Sequence, residues 1–263
     1  MNARPPLVHL ESEGIGPPLL LLHGFALHGG LFGPIVPALA RRHRVHVADL
    51  PGHGLSASQA NLTLDGIVAA LAAALPADCE PLAILGWSLG GAVALHWAAT
   101  APERVSRLVL VGATPAFVAR NDWPHAMSAA TLARFGDELR VAYRLTLQRF
   151  LTLQVQGSEQ GRATLALLRD QLFARGEPTP AALAESLALL ARTDLRKEVP
   201  HVRAPALVIT GGQDRLAPAA AGAWLARALR NAIRIDIAGA AHAPFLSHRD
   251  VFLDALTGFL DGR

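Results

Sequence analysis

Gly86-Trp87-Ser88-Leu89-Gly90 stands between an apolar run, Pro81-Leu82-Ala83-Ile84-Leu85, and a segment of helical character, Gly91-Ala92-Val93-Ala94-Leu95-His96-Trp97-Ala98-Ala99. A G-x-S-x-G pattern alone is weak, because ordinary glycine and serine usage produces it by chance. A strand before it and a helix after it change its weight: that is the setting of a nucleophile elbow. The turn is so tight that neighbouring side chains would clash, hence glycine on both flanks, and the serine is lifted clear of the sheet. The competing reading is a strand-to-helix turn with an idle serine.

A serine hydroxyl is a poor nucleophile at neutral pH and needs a base, itself oriented by an acid. Behind such an elbow the partners follow in the order acid, then histidine. Ala206-Leu207-Val208-Ile209-Thr210 reads as a buried strand running into Gly211-Gly212-Gln213-Asp214, which puts Asp214 in the loop at its carboxyl end. Ile233-Arg234-Ile235-Asp236-Ile237 reads as the last strand, and His242 lies on the loop after it. Loops at the carboxyl ends of parallel strands share one edge of the sheet, so Ser88, Asp214 and His242 can converge there. Of the eleven histidines, His242 is preferred because it follows Asp214 and is flanked by small residues; His248 is its nearest rival. Among acids, Asp236 sits inside a strand alternation and Asp194 precedes the core's return. Asp49 ends an earlier strand, and its Pro-Gly-His-Gly continuation looks structural.

The oxyanion of an acyl-transfer intermediate needs N–H donors. One is expected from Leu89, at the helix N-terminus directly after the serine. The other is expected from Phe25, after the strand Leu19-Leu20-Leu21-Leu22 and the turn His23-Gly24. A strand-ending turn without chemistry is the alternative for His23-Gly24.

The 263 residues suit an α/β domain able to bury a sizeable core. The 51% hydrophobic content is inflated by alanine, and no apolar run reaches spanning length without proline or charge. Met1-Asn2-Ala3-Arg4-Pro5-Pro6 lacks a signal-peptide layout, and the single cysteine, Cys79, excludes an internal disulfide framework. Both lead to the expectation of a cytoplasmic protein, and with no exposed heptad a monomer is expected. A formal charge of +3 with no basic run gives no sign of nucleic-acid binding. His43, His46 and His53 are split across a strand and a loop, and no metal-ligand spacing is found.

Strands and helices alternate to about residue 113, including Val45-His46-Val47-Ala48-Asp49, a helical stretch over 67–75, and Leu108-Val109-Leu110-Val111. From Thr114 to Asp194 there are only helical segments broken by proline and glycine. The expected organisation is a first core part, 1–113, a helical lid, 114–194, and a second core part, 195–263. An insertion at this place lies over the sheet edge that carries the candidate residues.

With these features together, the chain resembles the α/β-hydrolase superfamily. The resemblance rests on His23-Gly24, Asp49-Leu50-Pro51-Gly52-His53-Gly54-Leu55-Ser56, the elbow, and the Asp214 and His242 loops. More narrowly it resembles the pimeloyl-acyl-carrier-protein methyl ester esterases of biotin synthesis. The narrower match is carried by Gly86-Trp87-Ser88-Leu89-Gly90-Gly91, Ala119-Arg120-Asn121-Asp122-Trp123-Pro124, Arg149-Phe150-Leu151-Thr152-Leu153-Gln154, Thr193-Asp194-Leu195-Arg196 and His242-Ala243-Pro244-Phe245-Leu246-Ser247-His248.

The resemblance implies an α/β-hydrolase fold, with a mostly parallel sheet flanked by helices and a helical lid over the active-site edge. It implies a serine carboxylesterase that removes the methyl ester from a pimeloyl chain on acyl carrier protein, with no metal or organic cofactor. Phe25 and Phe150 to Gln154, thus also Leu151, Thr152 and Leu153, would bind the acyl chain. Arg149 and Arg162 match family arginines that meet the acidic carrier. Leu145 and Ala166 stand where two more are found, with Arg144 and Arg169 nearby; a solvated helix face is the bland reading of all four arginines. Phe25 also departs from the family, where tryptophan followed by glycine is usual. Backbone donation survives that change, while the shape of the acyl pocket differs. The alternatives are a general short-chain esterase, lactonase or C–C hydrolase on the same scaffold, or a non-catalytic ligand-binding member.

Overall fold

Seven strands form one sheet in the order β1-β3-β2-β4-β5-β6-β7 in the computed structural model, which describes residues 6–262. Met1 to Pro5, on which most of the signal-peptide reading rests, and Arg263 lie outside the described residues. The strands are β1 (His9–Glu13), β2 (Pro18–Leu22), β3 (Arg44–Asp49), β4 (Leu82–Trp87), β5 (Val105–Val111), β6 (Ala206–Gly211) and β7 (Ala232–Ile237). β1 runs antiparallel to β3 and all other neighbours are parallel. Continuous apolar runs suit the middle of such a sheet, where both faces are covered; β4 and β6 are buried along their whole length. The edge strand β7 keeps charge on its outer positions, with Arg234 and Asp236 exposed.

The helices are α1 (Val36–Leu39), α2 (Leu64–Ala74), α3 (Leu89–Thr100), α4 (Ala129–Val155), α5 (Gly161–Gln171), α6 (Pro180–Arg192), α7 (Ala219–Ala228), α8 (Pro244–Ser247) and α9 (Arg249–Leu260). α3 is buried from Leu89 to Ala98 on every face, which explains why it reads as apolar all round rather than amphipathic. β1 was not expected from sequence; its residues His9-Leu10-Glu11-Ser12-Glu13 are half-buried to exposed, so they carry little apolar signal.

Between β5 and β6 the chain leaves the sheet and forms α4, α5 and α6. Side-chain caps start two of them: Ser128 accepts from Thr131 N (3.1 Å) and Thr179 from Ala182 N (3.1 Å), satisfying N–H groups that a helix end leaves without a partner. α4 breaks at Ala142, whose φ of −147° and ψ of 58° are not helical. The segment departs and returns at one place, where Leu195 N donates to Pro115 O (2.8 Å). Arg196, bonded to Asp194 and Asp122, and Arg120, bonded to Asp194, fasten that junction.

Candidate active site

Ser88 lies between β4 and α3 with φ 56° and ψ −114°, a left-handed conformation costing a non-glycine residue about 1–3 kcal/mol. The surroundings hold it there. Ser88 N donates to Val111 O (3.0 Å), and Gly90 N to His23 O (3.0 Å). A Cβ on Gly86 would lie 2.2 Å from Gly90 O, and one on Gly90 would lie 2.3 Å from Leu22 O. No side chain fits at either flank, as the elbow reading requires. Leu89 N and Phe25 N, on buried residues, donate to no acceptor among the described residues. The Phe25 turn adjoins the serine, since a Cβ on the preceding Gly24 would lie 3.2 Å from Ser88 Cβ, and Leu89 follows it at the helix start.

Asp214 and His242 come together across 28 residues of sequence: His242 Nδ1–H donates to Asp214 Oδ2 (2.7 Å). The other carboxylate oxygen, Oδ1, accepts from Leu216 N (2.8 Å) and Ala217 N (2.9 Å). The carboxylate is therefore locked, and it fixes the histidine tautomer that leaves Nε2 free to accept a proton. Both side chains are buried. They stand next to the serine strand end, since a Cβ on Gly112, which follows the Val111 carbonyl bonded to Ser88, would lie 3.1 Å from His242 Nδ1. Among the described residues Ser88 Oγ has no hydrogen-bond partner; such bonds commonly tighten only when substrate arrives.

Two contacts to the His242 backbone went unforeseen. Trp87 Nε1 donates to His242 O (2.7 Å), and His242 N donates to Gln154 O at the end of α4 (3.0 Å). The base loop is thus gripped by the elbow on one side and the helical segment on the other. Trp87 lies within the quoted elbow and could have been found; a backbone carbonyl such as that of Gln154 leaves no trace in sequence.

The rivals are engaged elsewhere. His248 Nδ1 bonds Ser247 Oγ (2.9 Å), Asp236 pairs with Arg234, and Asp194 belongs to the junction described above. Asp49 accepts from Gly29 N (2.7 Å) and Leu55 N (2.9 Å) and faces Arg175 Nη1 (3.4 Å). Burial pushes its carboxyl up, but those two backbone bonds and the Arg175 charge hold it below the usual range. His23 Nδ1–H donates to Gly24 O (2.8 Å) and Nε2 accepts from Leu50 N (2.9 Å). Burial first, and His53 second, push the His23 pKa down to about 3. It is a neutral brace under the Phe25 loop.

Ser88 faces a cavity of about 90 Å³ walled by Phe25, Phe135, Phe150 and Leu153. The Phe25 and Phe150 rings meet edge to face at 5.7 Å, and Phe135 lies 6.1 Å from Phe25 and 5.4 Å from Phe150. Of the expected acyl-contact residues, Phe25, Phe150 and Leu153 therefore line the cavity. Thr152 lines an outer groove of about 770 Å³ with Arg149 and Arg162, and Phe135, Phe150 and Leu153 are common to both spaces. Leu151 and Gln154 are buried, with Gln154 Oε1 unpartnered. Arg144 turns aside, donating to Glu177 (3.1 Å) and lying over the Phe173 ring. Arg169 is exposed two turns beyond Arg162 on α5 and hence on the same helix face. Among the described residues no His, Cys, Asp and Glu group could hold a metal ion, and no helix is long and apolar enough to cross a membrane.

Sheet, elbow and loop order define a class, and residues 17–249 match the model of that class, the alpha/beta hydrolase fold. Solved structures agree on the fold: an esterase from Exiguobacterium antarcticum superposes with a TM-score of 0.86 at 20% identity, covering 97% of this chain and 95% of that one. A bromoperoxidase from Bacillus anthracis gives 0.88 at 24% identity with the same coverage. Closer in sequence are two proteins named pimeloyl-[acyl-carrier protein] methyl ester esterase. The one from Xanthomonas axonopodis pv. citri is 49% identical over 96% of this chain and 98% of its own length. The one from Chromobacterium violaceum is 41% identical over 96% and 97%. The chain belongs to the alpha/beta hydrolases, within the family of these methyl ester esterases.

Proposed function

We propose that this protein is a serine carboxylesterase that hydrolyses the methyl ester of pimeloyl-acyl carrier protein, releasing methanol and the free acid for biotin synthesis. The observation that carries this reading is the 41–49% identity, over nearly the whole chain, to relatives of that name. In this mechanism Ser88 Oγ attacks the ester carbonyl while His242 Nε2 takes its proton. Asp214 holds the imidazole and stabilises its charge, and the Phe25 and Leu89 N–H groups receive the oxyanion. The C–O bond to the methoxy group breaks, methanol leaves with the proton from His242, and water activated by the same imidazole frees the acid.

Residues 114–194 serve as the lid over the core parts 1–113 and 195–263. Phe25, Phe150 and Leu153 contact the acyl chain, with Leu151, Thr152 and Gln154 shaping the run around them. Arg149 and Arg162 meet the acidic carrier at the outer groove, with Arg144 and Arg169 on the flanks, and fixed positive charge speeds such an encounter. The protein works in the cytoplasm as a monomer. Mass spectrometry of the carrier-bound methyl ester tests the proposal. Loss of a methyl group with this protein, and none with Ser88→Ala, is expected. Rapid turnover of a short aryl ester beside an untouched carrier substrate would make it a general esterase instead.

A further inference from the structure

Two openings adjoin the Ser88 cavity. One is the groove of Arg149 and Arg162 along the second half of α4. The other, of about 370 Å³, lies between the first half of α4 and α6. Its lining is apolar apart from Arg140 at the rim. Leu132 and Leu187 belong to the walls of both this second groove and the Ser88 cavity, so these two side chains are the partition between them. Both are half-buried, and Leu187 packs against the core from its edge.

Gly136 sits beside that partition. A Cβ there would approach Leu187 Cδ2 to 3.1 Å. Glycine inside a helix is unfavourable relative to alanine, and what it provides at this position is room for Leu187 to move. The groove is therefore apolar, adjoins the site, and is separated from it by Leu132 and Leu187, the second of which faces the space that Gly136 leaves open.

We propose that this groove is a leaving-group site, which takes the alkyl chain of esters whose alcohol is longer than methanol. The proposal rests on Ser88 being the nucleophile. At a carbonyl held between Ser88 Oγ and the two N–H donors, the acyl carbon and the leaving oxygen point in different directions. With the acyl chain assigned to the Arg149 groove, the second opening, walled off by Leu132 and Leu187, is the one left for the alcohol. The bond between carbonyl carbon and alcohol oxygen breaks, Ser88 is acylated, and the alcohol departs with the proton that His242 held. Water then restores the serine and yields the carboxylic acid, so no further reactant is needed. Each buried methylene adds to binding of the chain.

The test compares methyl, butyl and octyl butyrate, and separately methyl butyrate with methyl octanoate, for the wild type, Gly136→Leu and Ala188→Phe. Gly136→Leu crowds the partition from α4, and Ala188→Phe fills the groove from an exposed position on α6. The ratio of kcat/KM for the octyl ester to that for the methyl ester should fall by about tenfold or more in both variants. The ratio across the acyl series should move far less. An unchanged alcohol ratio in both variants, or a fall in the acyl ratio instead, overturns the groove while leaving the esterase reading intact. No turnover of any of these free esters by the wild type, with the carrier-bound methyl ester still hydrolysed, would overturn the groove alone; no turnover of the carrier-bound ester either would overturn the esterase reading as well.

Discussion

Around Asp214 and His242 the chain spends its hydrogen bonds on rigidity: one carboxylate oxygen accepts two backbone N–H groups, the other holds the imidazole, and the His242 backbone is gripped from both sides. Residues 114–194 are built differently. α4 is broken at Ala142, grooves open on both sides of it, and Arg149 and Arg162 project from it and its neighbour into solvent. The contrast separates two tasks. The sheet edge holds Asp214 and His242 in a fixed geometry, and on the proposed function these are the reacting groups, with the helical segment as the surface that chooses the substrate. The two regions touch where the Gln154 carbonyl meets the His242 N–H, so their separation is not complete.

The largest effect should come from breaking the rigid side. Asp214→Asn keeps the shape of the side chain and presents the wrong donor to His242 Nδ1. Its kcat on any ester is expected to fall by about 10⁴-fold, with little change in thermal stability. A loss below about tenfold in steady-state assays would mean another acid orients His242.

Next in size is the brace beneath the Phe25 loop. Arg175→Met leaves the buried Asp49 carboxylate with its two N–H partners but without its cation. A loss of about 2 kcal/mol in urea unfolding is expected. An unchanged midpoint would show that Arg175 merely decorates the surface.

Acid should act on the same brace. His23 is neutral when folded, with a pKa of about 3 against an ordinary 6.5, and burial lowers His53 in the same direction. Below about pH 6.5 the unfolded chain takes up protons that the native state refuses. Stability then falls as pH drops from 6.5 towards 3, by about 1.4 kcal/mol per pH unit for each such proton. Denaturant midpoints at pH 7 and pH 5 measure it; equal midpoints would contradict a buried neutral pair.

The smallest expected change in activity is at Trp87→Phe, which removes the indole N–H from His242 O and keeps an aromatic ring, smaller than indole, against Phe245. It should cost about 2–3 kcal/mol of stability, from the lost hydrogen bond and the void left by the indole, and lower kcat more than it raises KM. Equal effects on kcat and KM would assign Trp87 to packing alone.

Much of this was legible in the sequence because it depends on short-range rules. The turn at Ser88 needs glycine at 86 and 90 for lack of space, buried parallel strands are continuous apolar runs, and Asp214 and His242 each lie on the loop after a strand. What was hidden depends on distant partners. β1 is a polar edge strand recognised only by pairing with β3. Arg175 meets Asp49 from 126 residues away, and nothing in either neighbourhood announces it. Among four arginines close in sequence, only folding shows that Arg149 and Arg162 face one groove while Arg144 is held by Glu177.

The division between a fixed chemical edge and a selective helical segment is tested most directly by one ratio. It compares kcat/KM for the methyl ester presented on acyl carrier protein with kcat/KM for the dimethyl ester of the free diacid. The wild type and the double variant Arg149→Ala, Arg162→Ala should be measured side by side at low salt. The account predicts that the double substitution lowers the ratio by about tenfold or more, through the carrier-bound substrate. An unchanged ratio would contradict it, because carrier choice would then lie outside the groove that shares Phe135, Phe150 and Leu153 with the Ser88 cavity.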